Sequence, residues 1–209
     1  MKQFVLPNHP ILTKPSKKVF PSQINSKEIQ NIISQMLKIA SGEQKNKAKP
    51  VLVGLAAPQI GILKRIILVD VAADGKGKVG DLKVYINPEI TWVSKQKREW
   101  YEGCYSTGKV CGIVSRPTSI KLQTLRFTPQ GCKREFKKHS GYVARIFQHE
   151  IDHLNGKVFV DHITDPNKLH WVLKKEFPLY RNKQAWKNWP KKCSFEKWKN
   201  IKSPLLKKA

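Results

Sequence analysis

In QHEIDHLN, residues 148–155, two histidines stand four apart and a glutamate directly follows the first. On a helix turning about 100° per residue, His149 and His153 share one face, so their imidazoles can converge on one metal ion. Glu150 then lies near enough to move a proton on a water held there, which is why the HExxH spacing recurs in metal-dependent hydrolases. The same residues also fit a solvated polar helix face. Against that stands the bracketing by Ile146, Phe147, Ile151 and Leu154. An enclosed helix leaves imidazoles and a carboxylate in need of partners, and an ion would satisfy all three.

A third ligand must come from elsewhere in the chain. His162, His170 and Asp161 qualify by type, lying downstream of the helix as in zinc endopeptidases. The stretch EGCYS at 102–106 offers Cys104 instead, next to Gly103 where backbone must approach something closely. A thiolate with two imidazoles makes a compact site for Fe(II), Zn(II), Co(II) or Ni(II) and leaves a position for water. The alternative for Cys104 is a small buried hydrophobe.

The elements that would position these groups follow from periodicity. Ile29, Ile32, Ile33, Met36 and Leu37 recur at helical spacing over 25–40, with Asn25 or Ser26 as cap and Glu28 placed for a capping box. A lysine-rich loop is expected at 41–50, then a strand end running into a loop in VLVGLAAPQIG. RIILVDV at 65–71 reads as a buried strand and GKGKVGD at 75–81 as a turn. Shorter strands are expected at 83–87, 90–94, 119–127 and 133–138. From Gly141 the period becomes helical and ends near Gly156. One dominant helix after a run of strands predicts an α+β fold, mainly antiparallel sheets around the central HExxH-bearing helix. Beyond Thr164, KLHWVLKKEF reads as a terminal helix, followed by lysines interleaved with Trp186, Trp189 and Trp198.

The length of 209 residues suits one domain with an extension, read as 1–164 and a basic 165–209. A formal charge of +25 attracts polyanions such as nucleic acid or a nucleoprotein surface, although solvated lysines alone would give the same count. Cys104, Cys111, Cys132 and Cys193 form no dense disulfide pattern, and a reducing cytoplasm is expected. FVLP at 4–7 is too short for a signal core. No apolar run approaches the ~20 residues of a membrane span, so no membrane partner is expected.

Three stretches in order, GLAAPQ at 54–59, EGCYS at 102–106 and QHEIDHLNG at 148–156, resemble the three signature motifs of the peptide deformylases. The likeness extends from HPIL through WYEGCYS to YVARIFQHEIDHLNGKVFVDHI, over about residues 4–164. It implies a peptide deformylase-like fold and hydrolytic release of formate from formyl-methionyl nascent peptides. It further implies Cys104, His149 and His153 as metal ligands and Glu150 as general base and acid. The oxyanion donors would be Gln59 through its side chain and Tyr105 through its backbone N–H. Gly54 matches a main-chain contact to substrate, and Val53, Trp100, Tyr142, Arg145 and Ile146 match the walls of the methionine pocket. The family implies Fe(II) in the cell, with Zn(II), Ni(II) or Co(II) as substitutes. A monomer is expected, and the basic tail from about 165 either contacts ribosomal RNA through its lysines, its tryptophans available to stack, or packs its tryptophans on the domain and leaves its lysines in water. Three positions depart from the pattern: Leu52 replaces a glycine, Tyr105 a leucine, and Thr107-Gly108 an apolar residue and proline. Two other readings are a zinc endopeptidase with a downstream third ligand, and a non-catalytic ribosome-binding paralogue, which should have lost a catalytic group, whereas Gln59, Cys104, His149, Glu150 and His153 are all present.

Overall fold

A computed structural model describes residues 4–45, 51–128 and 131–201. Its centre is the strand β2, Ile66–Asp70, in which all five side chains are buried. The strand's period of two sends alternate residues to opposite faces. Ile66 and Leu68 pack with Ile29, Ile33 and Met36 of helix α1, Lys27–Lys45. Ile67 and Val69 pack with Ala144, Phe147 and Ile151 of helix α2, Gly141–Leu154. One apolar strand thus joins two cores, with a helix on each face.

Around β2 runs an antiparallel five-stranded sheet in the order β1-β2-β3-β6-β7, with β1 at Gly54–Ala56, β3 at Leu82–Val93, β6 at Ser119–Thr128 and β7 at Gly131–Ser140. A second antiparallel sheet, β4-β5-β8, holds Lys97–Gly103, Val110–Pro117 and Leu169–Trp171. Polar residues of α2 reach this second sheet: Arg145 donates to the Val114 carbonyl at 3.2 Å and Gln148 to the Pro117 carbonyl at 3.0 Å. The helix therefore lies between the sheets, its apolar face on one and its chemical face toward the other. The mixed helix and antiparallel-sheet architecture agrees with the expected fold class.

Several elements differ from the sequence reading. The helix α1 runs on to Lys45, into the loop expected at 41–50, because its last turn has tertiary partners; residues 46–50 of that loop lie outside the described residues. Gln44 donates to Asp70 at 2.8 Å and to the Leu52 carbonyl at 3.1 Å. Ser26 caps the Ile29 N–H at 3.3 Å, but Glu28 pairs with Lys64 and forms no capping box. The strands expected at 83–87 and 90–94 are one, β3, with a register irregularity after Ile86. Asn87 takes φ 51° there, and its side chain bonds both the N–H and the carbonyl of Val19. Strands β4, β5 and β8 were not foreseen. The expected terminal helix is broken up: Leu169–Trp171 pairs with β5, and a 3₁₀ turn at Lys174–Glu176 leads into the short helix α3, Phe177–Arg181. A free sheet edge outweighs the local preference of a short lysine-rich segment.

The tail folds back onto the domain. Trp186, Trp189 and Trp198 are all buried, and Trp189 Nε1 donates to the Trp171 carbonyl at 3.1 Å. A last short helix, α4 at Phe195–Lys199, lies beside the N-terminal loop, where Asn8 donates to the carbonyls of Trp198 and Ile201. The tryptophans are therefore not available to stack on RNA. Among the described residues no helix is long and apolar enough to cross a membrane.

Candidate metal centre and active site

Cys104 sits at the end of β4, where the chain leaves the sheet and enters a single 3₁₀ turn, Tyr105–Thr107. That exit points its sulfur at the chemical face of α2. The ligand atoms of Cys104, His149 and His153 all lie within 4.8 Å of one another, the one such cluster among the described residues. Sγ stands 3.3 Å from His153 Nε2. Thiolate and imidazole donors around one tetrahedral ion lie roughly 3.5 Å apart, given bonds of roughly 2.0–2.3 Å. The Cys104–His153 pair already has that spacing, and the other separations, within 4.8 Å, would close on an ion.

The electrostatics suit the same use. Burial alone would raise the Cys104 thiol, but the His153 charge and hydrogen bonds to both imidazoles outweigh it and hold the thiol well below its ordinary value. Burial likewise would lower His149, yet hydrogen bonds to Cys104 and Glu102 take it well above. A thiolate pressed between two imidazoles is the arrangement a divalent cation replaces, displacing the imidazole protons. Cys111, nearby on β5, is pushed up to about 12 by burial and then by the Cys104 charge, and stays a neutral thiol.

His149 Nδ1 meets Glu102 at 2.9 Å, which leaves Nε2 for the cluster. Glu102 is itself gripped by Arg116 at 2.6 and 2.9 Å and by Arg145 at 2.6 Å. Burial would raise this carboxyl, but the Arg116 charge and hydrogen bonds keep it far below the carboxylate range. The fixed charge orients the His149 ring, as outer partners of metal-binding histidines do. Arg116 also holds Asp152 at 2.8 Å, and Asp152 holds His162 at 2.8 Å. Glu102 thus both orients His149 and pairs with two buried arginines. Arg116 was missed. Its signal was a lone charged residue in the run VCGIVSRP.

Glu150 is 4 % exposed, and its Oε2 has no hydrogen-bond partner among the described residues. Burial, with the His149 and His153 charges opposing, raises its carboxyl to about 7. Such a group can both take and return a proton near neutral pH. Gly54 explains how β1 passes so close: a Cβ there would overlap Glu150 Oε1 and come within 2.8 Å of Ile146 Cγ2. Gln59 lies in the 3₁₀ turn after β1. The Ala56 N–H donates to its Oε1 at 2.7 Å, which fixes the amide so that Nε2 points to Cys104 Sγ at 3.2 Å and Ser106 Oγ at 3.4 Å. The Tyr105 hydroxyl donates to Glu43 at 2.8 Å and its ring stacks on Phe4, so the bulkier residue at this position is accommodated by α1 and the N-terminal loop.

These groups open into a cavity of about 420 Å³. Val53, Gly54, Tyr142, Arg145 and Ile146 line it, as does Gln59. Trp100 does not. It packs beside Trp186 and Tyr101, with the Arg98 guanidinium 5.1 Å from its ring, and Tyr101 faces the cavity in its place. The extension also contributes walls, including Leu173, Phe177 and Arg181, none of which sequence reasoning placed there. The downstream ligand candidates are engaged elsewhere. Asp161 accepts from the Val158 N–H, His162 is held by Asp152, and His170 lies between Tyr180 and the Asn167 carbonyl.

A model of the polypeptide deformylase family matches residues 1–169. The chain is 37% identical over 139 residues to a peptide deformylase of Agrobacterium fabrum, covering 66% of this chain and 79% of that one. It is 37% identical over 152 residues to that of Prochlorococcus marinus strain AS9601, covering 73% of each. Among solved structures, a probable peptide deformylase from Synechococcus phage S-SSM7 superposes with a TM-score of 0.63 at 36% identity, covering 77% of this chain and 98% of that one. The Met-Ala-Ser-bound class I type b peptide deformylase from Acinetobacter baumannii gives 0.66 at 31%, covering 77% and 96%.

Proposed function

The chain belongs to the polypeptide deformylase family, and we propose that it acts as a metal-dependent hydrolase releasing formate from the N-terminus of formyl-methionyl nascent peptides. The observation that supports this most is the meeting of Cys104, His149 and His153 beside Glu150 in one cavity. Cys104, His149 and His153 would hold the ion. A divalent metal supplies Lewis acidity there and makes water acidic enough to serve as nucleophile near neutral pH.

The chain's own groups do the rest. Glu150 accepts the proton of the attacking water and returns it to the departing amine, a task matched to a carboxyl near 7. Gln59 Nε2 and the Tyr105 backbone N–H donate to the oxygen that gains charge as the formyl carbon becomes tetrahedral. Gly54 contacts the substrate main chain, and Val53, Tyr142 and Ile146 take the methionine side chain, with Tyr101 in the place expected for Trp100. Arg145 closes this pocket while bound to Glu102.

We further propose Fe(II) as the cellular ion, with Zn(II), Ni(II) or Co(II) able to replace it, since the donor set suits all four. A cytoplasmic monomer is the accompanying proposal, with a catalytic core at 1–164 and the extension at 165–209. With the tryptophans buried, contact of the extension with ribosomal RNA would run through its lysines. Loss of co-sedimentation with ribosomes on raising salt supports that contact; no binding at low salt removes it. The catalytic reading is tested by formate release from formyl-Met-Ala-Ser, using anaerobically prepared, metal-loaded protein. Release well above a Glu150→Ala control is expected, and release equal to that control contradicts it.

A further inference from the structure

Residues beyond the family match form part of the cavity wall. After β8 anchors to β5, the chain turns so that Leu173, Lys174, Phe177 and Arg181 face the space in front of Cys104. This wall is fixed in place. Tyr180 is fully buried and lies 3.0 Å from His170 Nδ1, while Phe177 packs edge-on to Tyr101 and lies 3.6 Å from where a Cβ on Gly103 would sit.

The wall is also charged. Lys174 is exposed and Arg181 half-buried, and the cavity is further lined by exposed Lys78 from the turn before β3 and exposed Lys109 before β5. None of the four has an ion-pair partner among the described residues. The acidic residues of the lining are Glu102 and Glu150, both buried, the first already neutralised by Arg116 and Arg145. Acids just outside are engaged as well: Glu176 pairs with Lys191, and Asp74 accepts the N–H groups of Lys76 and Lys78. Cations from three separate segments thus surround a cleft whose solvent-facing charged groups are all basic, an arrangement that focuses a positive potential on whatever enters.

We propose that this cavity selects formyl-peptides bearing acidic side chains in the residues after the methionine, read by Lys174 and Arg181 of the extension together with Lys78 and Lys109. The inference rests on the deformylase reading and adds its substrate class. The test compares kcat/KM of the metal-loaded full chain on formyl-Met-Ala-Ser, formyl-Met-Glu-Glu and formyl-Met-Lys-Lys at low and high salt. At low salt the acidic peptide should exceed the lysine peptide about tenfold, the sum of several partly exposed pairs. High salt should bring the two within about twofold, since exposed charges are screened. In K174E/R181E the ratio should fall to one or below, and in K174Q/R181Q to an intermediate value. Equal rates on the acidic and lysine peptides in the wild type, with formyl-Met-Ala-Ser cleaved, would overturn the selectivity and leave the deformylase standing. No cleavage of any of the three overturns the deformylase reading itself.

Discussion

Replacing Glu102 by glutamine tests how the metal centre is held. The carboxylate and its partners are almost dry, with side-chain exposures of 5% for Glu102, 4% for Arg116 and 10% for Arg145. Glu102→Gln keeps the shape and an acceptor but removes the charge facing two buried guanidinium groups, and turns one acceptor toward a donor. Breaking a buried pair from one side costs about 3–5 kcal/mol, because the remaining charge is left uncompensated. The low end of that range applies here, since Arg116 keeps Asp152 and Arg145 keeps the carbonyls of Val114 and Arg98. At about 2–4 °C per kcal/mol for a chain of this size, the melting temperature of the apoprotein should drop by roughly 6–12 °C. His149 loses its orienting anion too, so affinity for Zn(II) should weaken by about 10–100-fold in a chelator competition. Calorimetry of the apoprotein and the competition are independent readouts. A variant within about 1 kcal/mol of wild type and with unchanged affinity refutes the role assigned to this carboxylate.

Other substitutions probe the cavity and the tail. Gly54→Ala forces a methyl group into Glu150 and should lower kcat by about a hundredfold or more, the scale on which small displacements of reacting groups act; near-normal kcat would mean that β1 and α2 separate freely. Gln59→Ala removes the proposed oxyanion donor and should cost about 10²–10³ in kcat with KM little changed. A change in KM alone would reassign Gln59 to ground-state binding. His170 is fully buried, and burial followed by the Lys192 charge depresses it from 6.5 to about 4. The unfolded chain binds the extra proton between those values, so stability should fall as pH drops from 6.5 through 4 and level off below. At about 1.4 kcal/mol per pH unit across this window, the loss is about 3.5 kcal/mol. Denaturant titrations of wild type and His170→Gln should differ in slope over that window, and parallel profiles would contradict the assignment.

The chemistry was more legible in the sequence than the architecture. The HExxH spacing named His149, Glu150 and His153 because a helix face is a local property, and local periodicity survives folding. Cys104 could be offered as a ligand by type, but its choice over His162, His170 and Asp161 came from a resemblance; only the tertiary structure shows each of those three held by another group. Arg116 and Glu102 are 14 residues apart on neighbouring strands, a distance at which no pattern links an arginine to a glutamate. Trp100 was placed in the pocket by family position, yet the extension brings Trp186 against it and Tyr101 lines the cavity. The extension itself misled because the buried set Leu169, Val172 and Tyr180 recurs at helical spacing, while the open edge of β5 takes Leu169–Trp171 as a strand. It is folded by the surface it covers.

The proposed chemistry needs one ion shared by a sulfur and two ring nitrogens. X-ray absorption of the zinc-loaded protein measures this directly. It should show one sulfur at about 2.3 Å and imidazole nitrogens at about 2.0–2.1 Å, with the sulfur shell lost in Cys104→Ser. A wild-type spectrum without sulfur, or one that Cys104→Ser leaves unaltered, would contradict it.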